Sequence, residues 1–178
     1  MTTDSPTHTD PDWSADVHRL LHAANVRQIA FVPDAGLARL ITLCEADASM
    51  RVVRLTTEEE GVALLAGAWL GGDKGVLLMQ SSGVGNCINM LSLPAGGRFP
   101  LLMLVTMRGE HGETNPAQMP MGQATQRVLE AMGTTVTRAE SADDVAACVE
   151  AALDRAYAHD GVEAVLIAQQ VLGFKAFK

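Results

Sequence analysis

Two stretches near the middle of the chain, "VLLM" at 76–79 and "LLMLV" at 101–105, are apolar at every position, with no alternation to mark a solvent side. Strands of this kind are buried on both faces, which is the signature of a parallel sheet covered by helices. The flanking sequence supplies the covers. Helical patterns at 12–25, 37–46, 58–70, 83–93, 121–132 and 141–159 alternate with the strand-like runs "QIAFVP", "RVVRLTT", "GVLLMQ", "PLLMLVT", "TTVTRA" and "EAVLIAQQ". The alternation predicts a three-layer α/β/α domain with a doubly wound, six-stranded, mainly parallel sheet. One such domain is expected over 12–178, preceded by a short polar, flexible tail at 1–11.

Composition narrows the class. A formal net charge of −8 and the lack of a basic stripe argue against nucleic-acid binding. No apolar run approaches a membrane span, and the N-terminus lacks the layout of a signal peptide. Cys44, Cys87 and Cys148 are odd in number and far apart, which fits buried thiols in the cytoplasm better than disulfides or a zinc site. His18 and His22 stand one helical turn apart without an apparent third ligand, so surface or packing roles are expected and no metal site is.

In a doubly wound sheet the ligand crevice lies at the carboxyl ends of the strands. Four turns occupy that rim: "VPDAG", "TTEEEG", "QSSGVGN" and the long "TMRGEHGETNPAQMPMG". At the second, Thr57-x-x-Glu60 reads as a capping box, with the Thr hydroxyl on the N3 amide and Glu60 reaching back to the cap N–H. Acidic side chains also suit a helix N-terminus. Neither reason requires a third carboxylate, and Glu58 lies where strand meets helix. "QSSGVGN" opens a helix but is neither a P-loop nor G-x-G-x-x-G, and a tight packing turn also explains it. Asn86 and Asn89 are polar on an otherwise apolar segment, and one of them is expected to face the site. The fourth turn exceeds the usual link in a compact α/β domain; it carries Arg108, whose planar fork suits an anion, or it is a solvated surface loop. No Ser-His-Asp order, metal-ligand set or complete cofactor fingerprint occurs. The residues alone support a small-molecule or interface site at the strand ends.

The ordered landmarks Val32-Pro33-Asp34, the helix opening at Glu58, "MQSSGVGN", Arg108-Gly109-Glu110 and "PMGQATQRVLEAMG" resemble the pyrimidine-binding domain of thiamine-diphosphate enzymes. Within that superfamily they are similar to the alpha subunit of sulfopyruvate decarboxylase and the N-terminal part of phosphonopyruvate decarboxylase. The resemblance implies a lyase: a thiamine-diphosphate-dependent 2-keto acid decarboxylase subunit converting 3-sulfopyruvate to sulfoacetaldehyde and CO₂. Phosphonopyruvate is the alternative substrate, and a non-catalytic α/β binding or regulatory domain is the alternative class. A family glutamate contacts the cofactor's aminopyrimidine ring and starts the proton relay that activates the thiazolium carbon. Glu58 matches its place, with Gly61 and Gly67 at the small-residue positions, and Glu59 matches if the helix shifts by one. An apolar helix behind such a carboxylate would desolvate it. The resemblance also implies that Gln80, Ser81, Ser82, Gly83 and Asn86 line the cofactor site. Pro33, Asp34 and the loop with Arg108 and Gln118 would face the substrate's acidic head. The run "NPAQMPMG" and Ala35 depart from the phosphonopyruvate pattern and lean toward the sulfopyruvate type. The diphosphate and Mg²⁺ are held in such enzymes by a Gly-Asp-Gly…Asn motif, which this chain lacks. A beta subunit completing the site in a hetero-oligomer is therefore expected.

Overall fold

The computed structural model describes residues 12–173, so the tail expected at 1–11 lies outside the described residues. The strands are β1 (Val26–Phe31), β2 (Arg51–Arg54), β3 (Lys74–Gln80), β4 (Leu101–Thr106), β5 (Thr135–Ala139) and β6 (Val162–Ile167). All pair in parallel in one sheet of order β2-β1-β3-β4-β6-β5. The expectation of a mainly parallel six-stranded sheet holds, and every pairing is parallel.

Why the middle strands lack alternation is visible in the register. Phe31, Leu78, Leu104 and Val165 form one row across β1, β3, β4 and β6. They pack toward α1 (Trp13–Ala23), α2 (Ala38–Ala46) and α7 (Ala142–His159). The adjacent row, Ala30, Leu77, Met103 and Ala164, joins the cluster on the opposite face, where α3 (Glu58–Leu70), α4 (Ser81–Cys87) and α6 (Met119–Ala131) lie. Both rows are essentially without solvent contact, so each core holds one half of every central strand.

Several boundaries differ from the sequence reading. The helix expected at 83–93 is two short ones: α4 begins at Ser81, and α5 (Ser92–Gly97) follows a turn. Pro94 cannot donate to the carbonyl one turn back and its ring crowds that position, so the helix restarts with proline in its first turn. Likewise α6 begins at Met119, after a 3₁₀ turn at Pro116–Gln118, with Pro120 tolerated near its start. The last strand stops at Ile167, and Gln169 and Gln170 open the short α8 (Gln169–Leu172). The capping box expected at Thr57 does not form. The Thr57 hydroxyl instead donates to Glu59, and Glu60 accepts the Thr56 N–H at 2.9 Å. Thr57 is still the extended residue from which the helix starts.

His18 and His22 have a structural partner. Their Nε2 and Nδ1 lie 3.1 and 2.8 Å from one Asp47 oxygen, tying α1 to the turn after α2. Among the described residues no helix is long and apolar enough to cross a membrane.

Helix α3 approaches the sheet through Gly61, where an added Cβ would stand 2.5 Å from Leu77 Cδ1 and 2.9 Å from Leu55 Cδ1. Both leucines are buried and cannot step aside. Gly61→Ala is expected to destabilise the fold by about 1–3 kcal/mol through overpacking, read as a lowered midpoint in chemical denaturation.

Candidate active site

The buried positions of α3 are Glu58, Gly61, Val62, Leu65 and Ala66, a run of three- and four-residue steps that makes one helix face. Glu58 heads that face and is 8% exposed, whereas Glu59 is half-exposed and Glu60 exposed. The geometry thus separates three adjacent carboxylates by helical period alone. Glu58 Oε2 accepts a 2.7 Å hydrogen bond from Asn86 Nδ2 on α4. Its Oε1 has no hydrogen-bond partner among the described residues. Gly83, one turn before Asn86, gives the carboxylate its room: a Cβ there would run into Oε1, Cδ and Cγ of Glu58. Of the two asparagines, both exposed, Asn86 is the one whose side chain reaches Glu58.

A second group forms where β1, β3 and β4 end. Asp34 accepts from Gln80 Nε2 at 3.0 Å, from the Thr106 hydroxyl at 2.9 Å and from the Gly36 N–H at 2.9 Å. Ser82 in turn donates to Gln80 Oε1 at 2.9 Å. Serine, glutamine, aspartate and threonine therefore form one chain of hydrogen bonds along the rim. Both Asp34 oxygens are engaged, so this carboxylate shapes the "PDAG" turn.

Arg108 is the third element. Its backbone N–H donates to Ser81 Oγ at 3.1 Å, anchoring the long loop to α4. Its guanidinium forks onto Glu113, Nε to Oε2 at 2.6 Å and Nη2 to Oε1 at 2.7 Å. The loop passes so close to α6 that a Cβ at Gly122 would strike the Arg108 carbonyl, and Gly109 takes φ +72° with no space beside Gln118 O. That contact gives "RG" and "PMG" a packing reason. The Arg108–Glu113 bond raises the arginine pKa and holds the Glu113 carboxyl far below the usual carboxylate range.

Arg108, Asp34, Thr106 and Gln169 line a small cleft of about 50 Å³ closed by Leu172 and Gly173. A larger open cleft of about 540 Å³ lies over Phe31, Ile41, Val52 and Arg54, with Pro33 and Asp34 at its edge and neither Glu58 nor Arg108 in its lining. Gln118 lines neither cleft, and its buried Oε1 has no partner among the described residues. Glu58, Gly83 and Asn86 are thus brought together, as are Asp34, Gln80 and Ser82, with Ser81 bridging to Arg108. Gln118 stands apart. Thr106, Glu113 and Gln169 were not singled out by the sequence. Their only signal was polar residues closing apolar strands, or an acid in the arginine loop.

A doubly wound parallel sheet with a buried carboxylate, a glycine-cradled helix start and a polar rim at its strand ends defines a ligand-binding α/β domain. The pattern of the thiamine pyrophosphate enzyme, N-terminal TPP binding domain, matches residues 12–137, and the chain belongs to that family. It is 38% identical over 118 residues to sulfopyruvate decarboxylase subunit alpha of Methanococcus maripaludis, covering 66% of this chain and 71% of the relative. The Methanocaldococcus jannaschii subunit alpha matches with the same identity and length. Phosphonopyruvate decarboxylase of Streptomyces viridochromogenes is 38% identical over 119 residues, which is 66% of this chain but 30% of that protein. The fold is shared, at TM-score 0.68 and 15% identity, with 2-oxoglutarate:ferredoxin oxidoreductase from Magnetococcus marinus, across 91% of this chain and 29% of the other.

The Glu113 arrangement makes a pH prediction. Its carboxyl is held below its ordinary value, so it stabilises the fold above the unfolded-state pKa and loses that contribution as pH falls through the folded value. Thermal melts of wild type and Glu113→Gln are expected to differ fully above about pH 5.5 and to converge as pH drops below about 4.

Proposed function

We propose that this chain is the pyrimidine-binding alpha subunit of a cytoplasmic thiamine-diphosphate-dependent 2-keto acid decarboxylase that converts 3-sulfopyruvate to sulfoacetaldehyde and CO₂. The observation that carries the reading is Glu58. It is buried at the rim, oriented through one oxygen by Asn86, has its other oxygen unpartnered, and lies over a glycine that no other residue type could replace without displacing it. These residues fit an aminopyrimidine ring. Such a ring presents nitrogens to a carboxylate, and Oε1 is the atom left to meet one.

Thiamine diphosphate, when bound, supplies the nucleophilic carbon and the electron sink for decarboxylation. The chain's part is to hold and move a proton at Glu58 Oε1, at the head of the buried face of α3, which limits water there. Asn86 fixes the carboxylate plane. Glu59, bonded to Thr57 and half-exposed, is the reserve assignment. Gln80, Ser81, Ser82 and Gly83 form the floor on which the cofactor would lie. Pro33, Asp34 and Arg108 belong to the substrate side, with Asp34 shaping its turn and Arg108 facing the acidic head, while Gln118, which lines neither cleft, takes no part in this reading. A beta subunit holding the diphosphate and Mg²⁺ completes the site. The one domain is the whole of 12–178 in this reading.

Phosphonopyruvate is the second reading, favoured by the Streptomyces relative's equal identity. The two substrates are separated by assaying CO₂ release from each with the chain co-expressed with its partner, in added thiamine diphosphate and Mg²⁺. In that assay Glu58→Gln is expected to lower turnover by at least about a hundredfold, the scale of a lost proton-transfer group, with secondary structure and assembly unchanged. Near-normal activity in this variant would sink the Glu58 assignment.

A further inference from the structure

Glu113 receives more hydrogen bonds than loop closure needs. Oε2 accepts from Arg108 Nε at 2.6 Å, Gly109 N at 3.2 Å and Gln169 Nε2 at 3.1 Å. Oε1 accepts from Arg108 Nη2 at 2.7 Å, Thr114 N at 3.0 Å and Asn115 N at 2.8 Å. A carboxylate has about four lone-pair sites, so this one is saturated. Its side chain is 1% exposed. The three backbone donors already account for the turn. The bidentate pair adds something different: it fixes the plane of a guanidinium that lines the cleft with Asp34, Thr106 and Gln169.

A fork–fork pair uses one edge of the guanidinium. The Nη1 corner of Arg108 has no hydrogen-bond partner among the described residues. The cost of the arrangement is attraction, because Glu113 offsets much of the arginine charge. The gain is position, because a long side chain that would otherwise sample many rotamers is held in one. Gln169 reinforces this. It donates to Glu113, accepts the Glu110 N–H at 3.0 Å, and lies 5% exposed in the same cleft.

We propose that Glu113 is the positioning residue of an acid subsite: it pins one edge of Arg108 so that the other selects 2-keto acids bearing an anionic group on C3 over neutral ones. The inference rests on the proposed reading that Arg108 faces the substrate. It assigns to Glu113 no contact with substrate or cofactor. Acid preference is then set by where the arginine is held, and loosening the hold reduces discrimination even though it unmasks positive charge.

The test uses the full chain co-purified with its partner subunit, loaded with thiamine diphosphate and Mg²⁺. Steady-state kinetics with 3-sulfopyruvate and with pyruvate are compared for wild type, Glu113→Gln and Glu113→Asp, and 3-sulfopropanoate, which has no keto group to react, is titrated calorimetrically. Glu113→Gln is expected to lower the ratio of kcat/KM for the acidic to the neutral substrate at least tenfold, chiefly through KM, and to weaken 3-sulfopropanoate at least fivefold. Glu113→Asp keeps the charge and shortens the reach, and should shift both readouts the same way by less; it serves also if the glutamine variant fails to assemble. An unchanged ratio, or an equal fall for both substrates alongside a lowered melting temperature, means a structural role only and overturns the inference. Arg108→Lys separates the two levels. If it leaves the ratio and the titration unchanged, Arg108 does not face the substrate and the underlying reading falls too. If it moves them while Glu113→Gln does not, the Glu113 inference fails alone.

Discussion

The central strands cannot face water on either side, and the rest of the molecule follows from that. Leu77, Leu78, Leu102, Met103 and Leu104 have no measurable exposure, so both faces of β3 and β4 must be roofed. A sheet with two roofs leaves its edges and its strand ends for polar chemistry. Because every pairing is parallel, the carboxyl ends all reach the same rim. Thr106 marks the transition: 1% exposed, it pairs with Gln80 in the sheet register, and its hydroxyl reaches Asp34 and the Met79 carbonyl. The first polar residue after the apolar ladder is already part of the site.

Strand reversal then decides which ends meet. The chain leaves β1 for β2 on one side and returns to place β3 on the other, so the turns after β1 and β3 flank the crevice expected at a switch point. Asp34 and Gln80 are those turns, and they are hydrogen-bonded to each other. The second reversal puts β6 between β4 and β5, which brings Gln169 beside the loop that follows β4. Residues 59 positions apart, Glu110 and Gln169, then clasp each other through two hydrogen bonds at 3.0 and 2.8 Å.

What was legible in the sequence was what repeats or what stands alone in its environment. Unbroken apolar strands declared a covered parallel sheet, and a carboxylate heading an apolar helix declared itself against that background. What was not legible depended on choices among equivalent partners. Thr57-x-x-Glu60 and Ser141-x-x-Asp144 carry the same cap pattern, yet the reciprocal box forms only at Ser141. At Thr57 a neighbouring glutamate competes for the hydroxyl, and Glu60 settles one residue further back. Glu113 was one acid among several in a polar loop. Only the fold brings Gln169 and three backbone amides to it.

Helix α3 shows how one period resolves a charge run that looks misplaced. Successive helical residues turn by about 100°, so neighbours in a triplet cannot share a face. Glu58 falls in line with Gly61, Val62 and Leu65 and enters the protein, while Glu60 turns toward water and is used at the helix start. The helix is nevertheless apolar beyond its buried face: Ala63 and Gly67 are exposed, and Leu70 is 74% exposed. These exposed small and apolar positions lie on the same helix as the carboxylate whose Oε1 has no hydrogen-bond partner among the described residues. The charge run and the apolar helix are thus one arrangement: the period that buries Glu58 with Gly61, Val62 and Leu65 is the same one that turns Glu60 outward.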